Sequence, residues 1–256
     1  MIPEIPGDDR GLLLGDGLFE TLLAVDGRLV RPEAHLDRMS AGCAALGLPP
    51  PDRAQALALM GQALAGVSAP RVAVRLTLTA GSGGRGLDRP AQLQVRMFAT
   101  AAPASAPLGP ASLITSTVRR SETSPAARLK TLSYLDNVLA RAEATGAGVD
   151  EALMLNGRGD VACAAAANVF WVWGGRLFTP SLDCGILAGT VRARVIEAAR
   201  SMGLDVAEVR ANPGELARAD GAFLTNALIG VREIAGLDGF DLPVSPLTGR
   251  LAAAIS

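Results

Sequence analysis

Apolar side chains dominate Phe19 to Val25 and recur from Arg28 to Val30 across Asp26-Gly27, a dipeptide suited to a tight turn, so the chain is expected to begin with a β-hairpin. Pro32 then opens a stretch in which Leu36, Met39, Cys43 and Leu46 recur at helical spacing, and Asp52 to Leu64 reads as a second helix. Arg71 to Thr79 alternates as a strand does, and after the glycine-rich GSGGRG a further strand is expected over Gln92 to Phe98. Ala99 to Ser112, rich in Ala, Pro and Ser and without periodicity, reads as a linker. Beyond it the pattern predicts strands at Leu113 to Val118, Glu151 to Leu155, Val169 to Val172 and Arg176 to Phe178, with others near Val206 and Phe223. Helices are expected over Leu132 to Ala144 and Thr190 to Met202. The result is an α+β chain of two lobes: a small N-terminal α/β lobe at 1–104, a linker at 105–111 and a larger C-terminal α/β lobe at 112–256.

Composition narrows what these lobes do. The net charge is -1 and no basic cluster is interleaved with aromatics, so neither a nucleic-acid nor a membrane partner is indicated. No apolar run approaches the ~20 residues that span a bilayer. The start MIPEIPGDDRG lacks the basic and apolar regions of a secretion signal, so a cytoplasmic location is expected. Cys43, Cys163 and Cys184 form no CxxC pair and read as reduced thiols. His35 is the only histidine, which excludes multi-histidine metal sites and ties any Cys-His or Ser-His-Asp group to that one residue; no metal is expected.

The basic residues are the most informative. Of the 24 lysines and arginines only Lys130 is a lysine. Genomic base composition accounts for the arginines but not for the survivor. A guanidinium does not deprotonate to attack an aldehyde, whereas a desolvated ammonium does, so Lys130 is the candidate Schiff-base residue.

Other motifs are ambiguous in isolation. Gly81 to Gly86 satisfies GxGxxG, but a proline and another strand follow where a dinucleotide site needs a helix, so the segment reads as a hairpin loop. Gly189-Thr190 opens an amphipathic helix and fits either a plain N-cap or a phosphate site. Thr225-Asn226, after the strand that ends at Leu224, is equally open. His35 and Arg38 share one face of the first helix, where Arg38 is either solvated or offered to a phosphate.

Taken in order, the segments GDGLFET (15–21), HLDR (35–38), LKTLSYLDNVLA (129–140), AANVFWV (166–172), Thr179-Pro180, GTVR (189–192) and FLTNALIGV (223–231) resemble fold type IV pyridoxal 5'-phosphate (PLP) enzymes. That family includes branched-chain and D-amino acid aminotransferases and 4-amino-4-deoxychorismate lyase. The resemblance covers nearly the whole chain. It implies a homodimer with the cofactor between lobes and Lys130 as the internal aldimine. It further implies Arg38, Gly189, Thr190, Thr225 and Asn226 around the phosphate, Tyr134 near the pyridine ring, and Asn168 in the cofactor segment. GSGGRG, AANVFWV and NALIGV resemble the lyase branch most, implying conversion of 4-amino-4-deoxychorismate to 4-aminobenzoate and pyruvate, a step of folate synthesis. In such a reaction Lys130 would remove the proton from the amine-bearing carbon and protonate the departing enolpyruvate.

The chain departs from the family at two points. Five residues before Asn168 the family has a glutamate that pairs with the pyridinium nitrogen, and here that position is Cys163, with no acidic residue nearby to replace it. A neutral thiol weakens the electron sink, which hurts transamination more than an elimination that forms an aromatic ring. The segment before GDG is also short for the family. Two further readings are therefore carried: an aminotransferase acting on D- or branched-chain amino acids, and a non-catalytic or repurposed protein marked by Cys163. For the substrate carboxylate Arg85, Arg75 and Arg120 are candidates on charge, with Arg85 preferred.

Overall fold

The computed structural model describes residues 4–106 and 109–255, so Pro107 and Leu108 of the expected linker lie outside the described residues. Two compact units form: Met1–Ala106 with Leu129–Ser133, and Pro107–Arg128 with Tyr134–Ser256. The short segment carrying Lys130 belongs to the first unit, which a single boundary along the chain does not express.

In the first unit α1 (Arg10–Leu14) leads into β1 (Gly17–Val25), which turns through Asp26-Gly27 into β2 (Arg28–Leu29). α2 (Pro32–Leu46) and α3 (Arg53–Ala65) precede β3 (Arg71–Thr79) and β4 (Arg96–Pro103). The sheet runs β2-β1-β3-β4 with every pair antiparallel. Alternation along β1 sends Leu18, Leu22 and Ala24 to one side, where they pack with Leu36 and Met39 of α2, Met60 of α3, and Leu76 and Leu78 of β3. α2 lies close on β1, since a Cβ at Gly42 would stand 2.9 Å from Leu18 Cδ1. Asp52 caps α3 by accepting from Gln55 N, and α2 ends on Gly47 at φ 65°. Ala99–Pro103, expected as linker, belongs to β4 and pairs with β3 as far as Val72↔Pro103. Alanines leave little alternation of size to read, and the open edge of β3 supplies the hydrogen bonds that make this stretch a strand.

The second unit runs β5 (Ala111–Thr115), α4 (Pro125–Arg128), α5 (Leu135–Gly146), β6 (Glu151–Leu155), β7 (Val161–Ala164), β8 (Asn168–Trp173) and β9 (Arg176–Pro180). It continues with α6 (Thr190–Ser201), β10 (Val206–Val209), α7 (Pro213–Ala217), β11 (Gly221–Asn226), β12 (Gly230–Leu237), β13 (Phe240–Asp241) and α8 (Pro246–Ala254). Its sheet has the order β10-β9-β8-β11-β12-β5-β6-β7, with β13 beside β12. Along β8 neighbouring residues face opposite sides. Trp171 enters a core with Leu113, Leu153 and Leu224, while Phe170 stacks on Phe223 at 5.0 Å beneath Val195 of α6 and Leu251 of α8. The helix expected from Leu132 starts at Leu135, because Leu132 is drawn into backbone pairing with β1. No helix among the described residues is long and apolar enough to cross a membrane.

Candidate active site

Lys130 sits on a segment that β1 holds by its backbone. Phe19 N donates to the Lys130 carbonyl at 2.9 Å, and Leu132 N donates to the Gly17 carbonyl at 3.0 Å. The two glycines of GDG make room for this. A Cβ at Gly17 would lie 2.4 Å from the Leu78 carbonyl oxygen and 2.8 Å from Leu132 Cδ1, and one at Gly15 would lie 2.4 Å from Ser133 Oγ. Gly15 itself closes α1 at φ 67°. Phe19 offers its ring to two cations: Lys130 Nζ is 4.1 Å from the centroid and the Arg75 guanidinium carbon 3.6 Å. Arg75 therefore shares a platform with the lysine, whereas Arg85 is exposed on the glycine loop.

Glu20 points to the core side of β1 between Leu18 and Leu22, where an unpaired carboxylate would be costly. α2 supplies its partners. Arg38 donates through Nε and one Nη at 2.7 Å each, and His35 Nδ1 lies 2.7 Å from the same carboxylate. Burial alone would raise the Glu20 acid, but the hydrogen bonds from Arg38 and His35 outweigh it and hold it below the ordinary carboxylate value. The shared face of His35 and Arg38 is thus a buried ion-pair group, and Arg38 enters any ligand contact already oriented.

In the second unit Thr225 of β11 pairs with Asn168 of β8. Asn168 Nδ2 donates to the Leu187 carbonyl at 2.9 Å, and a Cβ at Gly189 would stand 2.0 Å from Asn168 Oδ1. Gly189 is the N-cap of α6 with no side-chain cap bond, so the first N-H groups of that helix, Thr190 among them, have no capping side chain. Thr225 Oγ1 is buried without a hydrogen-bond partner. A buried donor left unmade, an uncapped helix start and a cradle too tight for any Cβ fit a phosphate group. Asn226 is engaged locally: its Nδ2 donates to the Ala166 carbonyl and its Oδ1 accepts from Leu228 and Ile229 N. Gly189→Ala is expected to weaken PLP binding about tenfold or more, because Asn168 must release Leu187 to admit the methyl group. A spectral titration with unchanged affinity would contradict this.

Cys163 lies on β7 opposite Met154, in a buried cluster with Ala140, Ala152 and Ala165. Burial pushes its thiol up, Arg120 pulls it back, and Glu151 raises it further. Glu151 is buried, accepts from Ala152 N at 3.0 Å and pairs with Arg141 at 3.0 Å, and burial raises its own acid. Arg120 is an internal brace rather than a free carboxylate reader. It donates to the carbonyls of Gly185 and Ala127 and to Asn137 Oδ1. Asn137 in turn donates to the Ala165 carbonyl at 2.7 Å. Tyr134 is the half-buried N-cap of α5.

Phe19, Glu20, Asp16, Arg10 and Glu151 were not picked out from sequence. The first three lie inside GDGLFET, so the motif was visible although the contacts that give each residue its role were not.

The family model for class IV amino-transferases matches residues 17–237. A Methanocaldococcus jannaschii protein whose name places it among branched-chain-amino-acid aminotransferases is 33% identical, over 90% of this chain and 82% of its own. The aminodeoxychorismate lyase of Vibrio harveyi is 30% identical, over 96% of this chain and 94% of its own. The crystal structure of 4-amino-4-deoxychorismate lyase from Pseudomonas aeruginosa superposes with a TM-score of 0.91 at 34% identity, covering 100% of this chain and 95% of that one.

Proposed function

The chain belongs to the class IV amino-transferases, a family of PLP-dependent enzymes, and from that premise we propose that it is a 4-amino-4-deoxychorismate lyase, releasing 4-aminobenzoate and pyruvate. When bound, PLP supplies the electron sink for bond changes at the amine-bearing carbon. The observation that carries the lyase reading is Cys163, which stands where the resemblance puts the partner of the ring nitrogen. Its thiol is kept neutral by burial and brings no negative charge to hold a proton there. An elimination whose product is aromatic is drawn forward by that aromaticity and tolerates such a partner, whereas amino exchange between aliphatic acids has no comparable pull.

Each residue then has a task. Lys130 holds the cofactor and moves the substrate proton. Gly189, Thr190, Thr225 Oγ1, the Asn226 backbone and Arg38 take the phosphate, Asn168 fixes the loop before α6, and Tyr134 flanks the ring. Arg75, which like Lys130 contacts the Phe19 ring, takes a substrate carboxylate, and Arg85 reads another. A homodimer is part of this reading, supported by the exposed Leu135, Val138 and Leu139 on α5; light scattering that gives a monomer mass would remove it.

The M. jannaschii relative favours a second reading, an aminotransferase on D- or branched-chain amino acids. PLP-loaded protein given D-alanine or L-leucine alone separates the two. An aminotransferase turns its cofactor into the pyridoxamine form. The lyase leaves the spectrum unchanged and releases pyruvate from 4-amino-4-deoxychorismate. If neither happens, and Cys163→Glu then creates activity, the chain is a repurposed member of the family.

A further inference from the structure

Residues 80–89 form a loop whose glycines at 81, 83, 84 and 86 all have positive φ, 79°, 100°, 83° and 59°, a path that side-chain-bearing residues follow only with strain. The loop is wrapped around a guanidinium. Arg10, 5% exposed, donates to the carbonyls of Gly83, Gly86, Leu87 and Asp88 at 3.4, 3.4, 2.9 and 3.0 Å, and its Nε pairs with Asp16 at 3.0 Å. The fit is close: a Cβ at Gly84 would lie 3.0 Å from Arg10 Nη1 and 2.1 Å from the Asp88 carbonyl oxygen. At the far end of the loop Arg89 reaches the same Asp16 at 3.0 and 2.5 Å and the Leu46 carbonyl at 2.6 Å. These two arginines keep the Asp16 acid low even though burial raises it. With its carbonyls gathered inward, the loop leaves Arg85 exposed.

We propose that Arg10 is a positioning residue for substrate recognition: by satisfying the carbonyls of the glycine loop it fixes the backbone that presents Arg85. The inference rests on the assignment of Arg85 to a substrate carboxylate made above. An arginine on an unsupported loop loses binding energy to the ordering of that loop, and a preformed loop does not. The clamp needs the five donors of a planar fork, so lysine is not an adequate substitute.

The test uses the full PLP-loaded chain, titrated calorimetrically with 2-oxoglutarate, which has a second carboxylate, and with pyruvate, which lacks it. The wild type is expected to prefer 2-oxoglutarate. Arg85→Gln, a change at an exposed position, and Arg10→Lys should both weaken 2-oxoglutarate by about 10- to 100-fold and leave pyruvate binding nearly unchanged. Arg10→Lys should also make the Arg85–Gly86 bond cut faster by trypsin. If trypsin opens the loop of Arg10→Lys while the preference for 2-oxoglutarate persists, the clamp is structural and the inference fails. If Arg85→Gln alone leaves the preference intact, the assignment of Arg85 fails instead. The lyase reading stands or falls separately, on pyruvate release from 4-amino-4-deoxychorismate.

Discussion

Lys130→Ala is expected to remove the visible absorption of lysine-bound PLP and its trapping by borohydride, and to lower turnover roughly ten-thousand-fold or more, the scale on which enzymes lose activity without their covalent group. Because Lys130 is the chain's one lysine, no other side-chain amine can take its place. The fold should survive. What anchors the segment is its backbone, through Phe19 N to the Lys130 carbonyl and Leu132 N to the Gly17 carbonyl, and alanine keeps both bonds. The side chain gives up a cation–π contact with Phe19 at 4.1 Å, worth about 1 kcal/mol, so melting should move by only a few degrees. A variant that still traps PLP, or that turns over at the wild-type rate, would end the central claim.

Gly17→Ala tests why the lysine is where it is. Its Cβ would meet the Leu78 carbonyl oxygen at 2.4 Å and Thr79 Cα at 2.9 Å, both backbone atoms of β3, and Leu132 Cδ1 at 2.8 Å. Backbone in a paired sheet does not yield cheaply, so the strands must part or the Lys130 segment must shift. A loss of about 3 kcal/mol is expected, or roughly 6 to 12 °C in melting temperature for a chain of this size, together with weaker PLP binding. Gly61→Ala is the control. It lies on α3 with nothing within 4 Å of a new Cβ, so it should stabilise by about 0.5 to 1 kcal/mol. Equal melting temperatures and PLP affinities for Gly17→Ala and wild type would show that the close approach at Gly17 is relaxed in solution.

Read as a pattern, the chain already declares much of itself. The hairpin at Asp26-Gly27, α2, α3, β3 and α6 follow from periods of two and 3.6 residues, because these elements bury one face and the interactions that select them are local. The lone lysine could be singled out by chemistry alone, since few residue types attack an aldehyde, whereas the Gly189-Thr190 helix start reads equally as a plain N-cap until the whole set of motifs is taken together. The tertiary structure decided the rest. Ala99–Pro103 is a strand because β3 has an edge to fill, and Leu132 is not helical because Gly17 accepts its N-H. Glu20 is tolerable in a core because α2 brings Arg38 and His35 to it. In each case the deciding partner is distant in sequence. A hydrogen bond, a buried charge or a missing Cβ takes its meaning from that partner, and no local period records which partner the fold will supply.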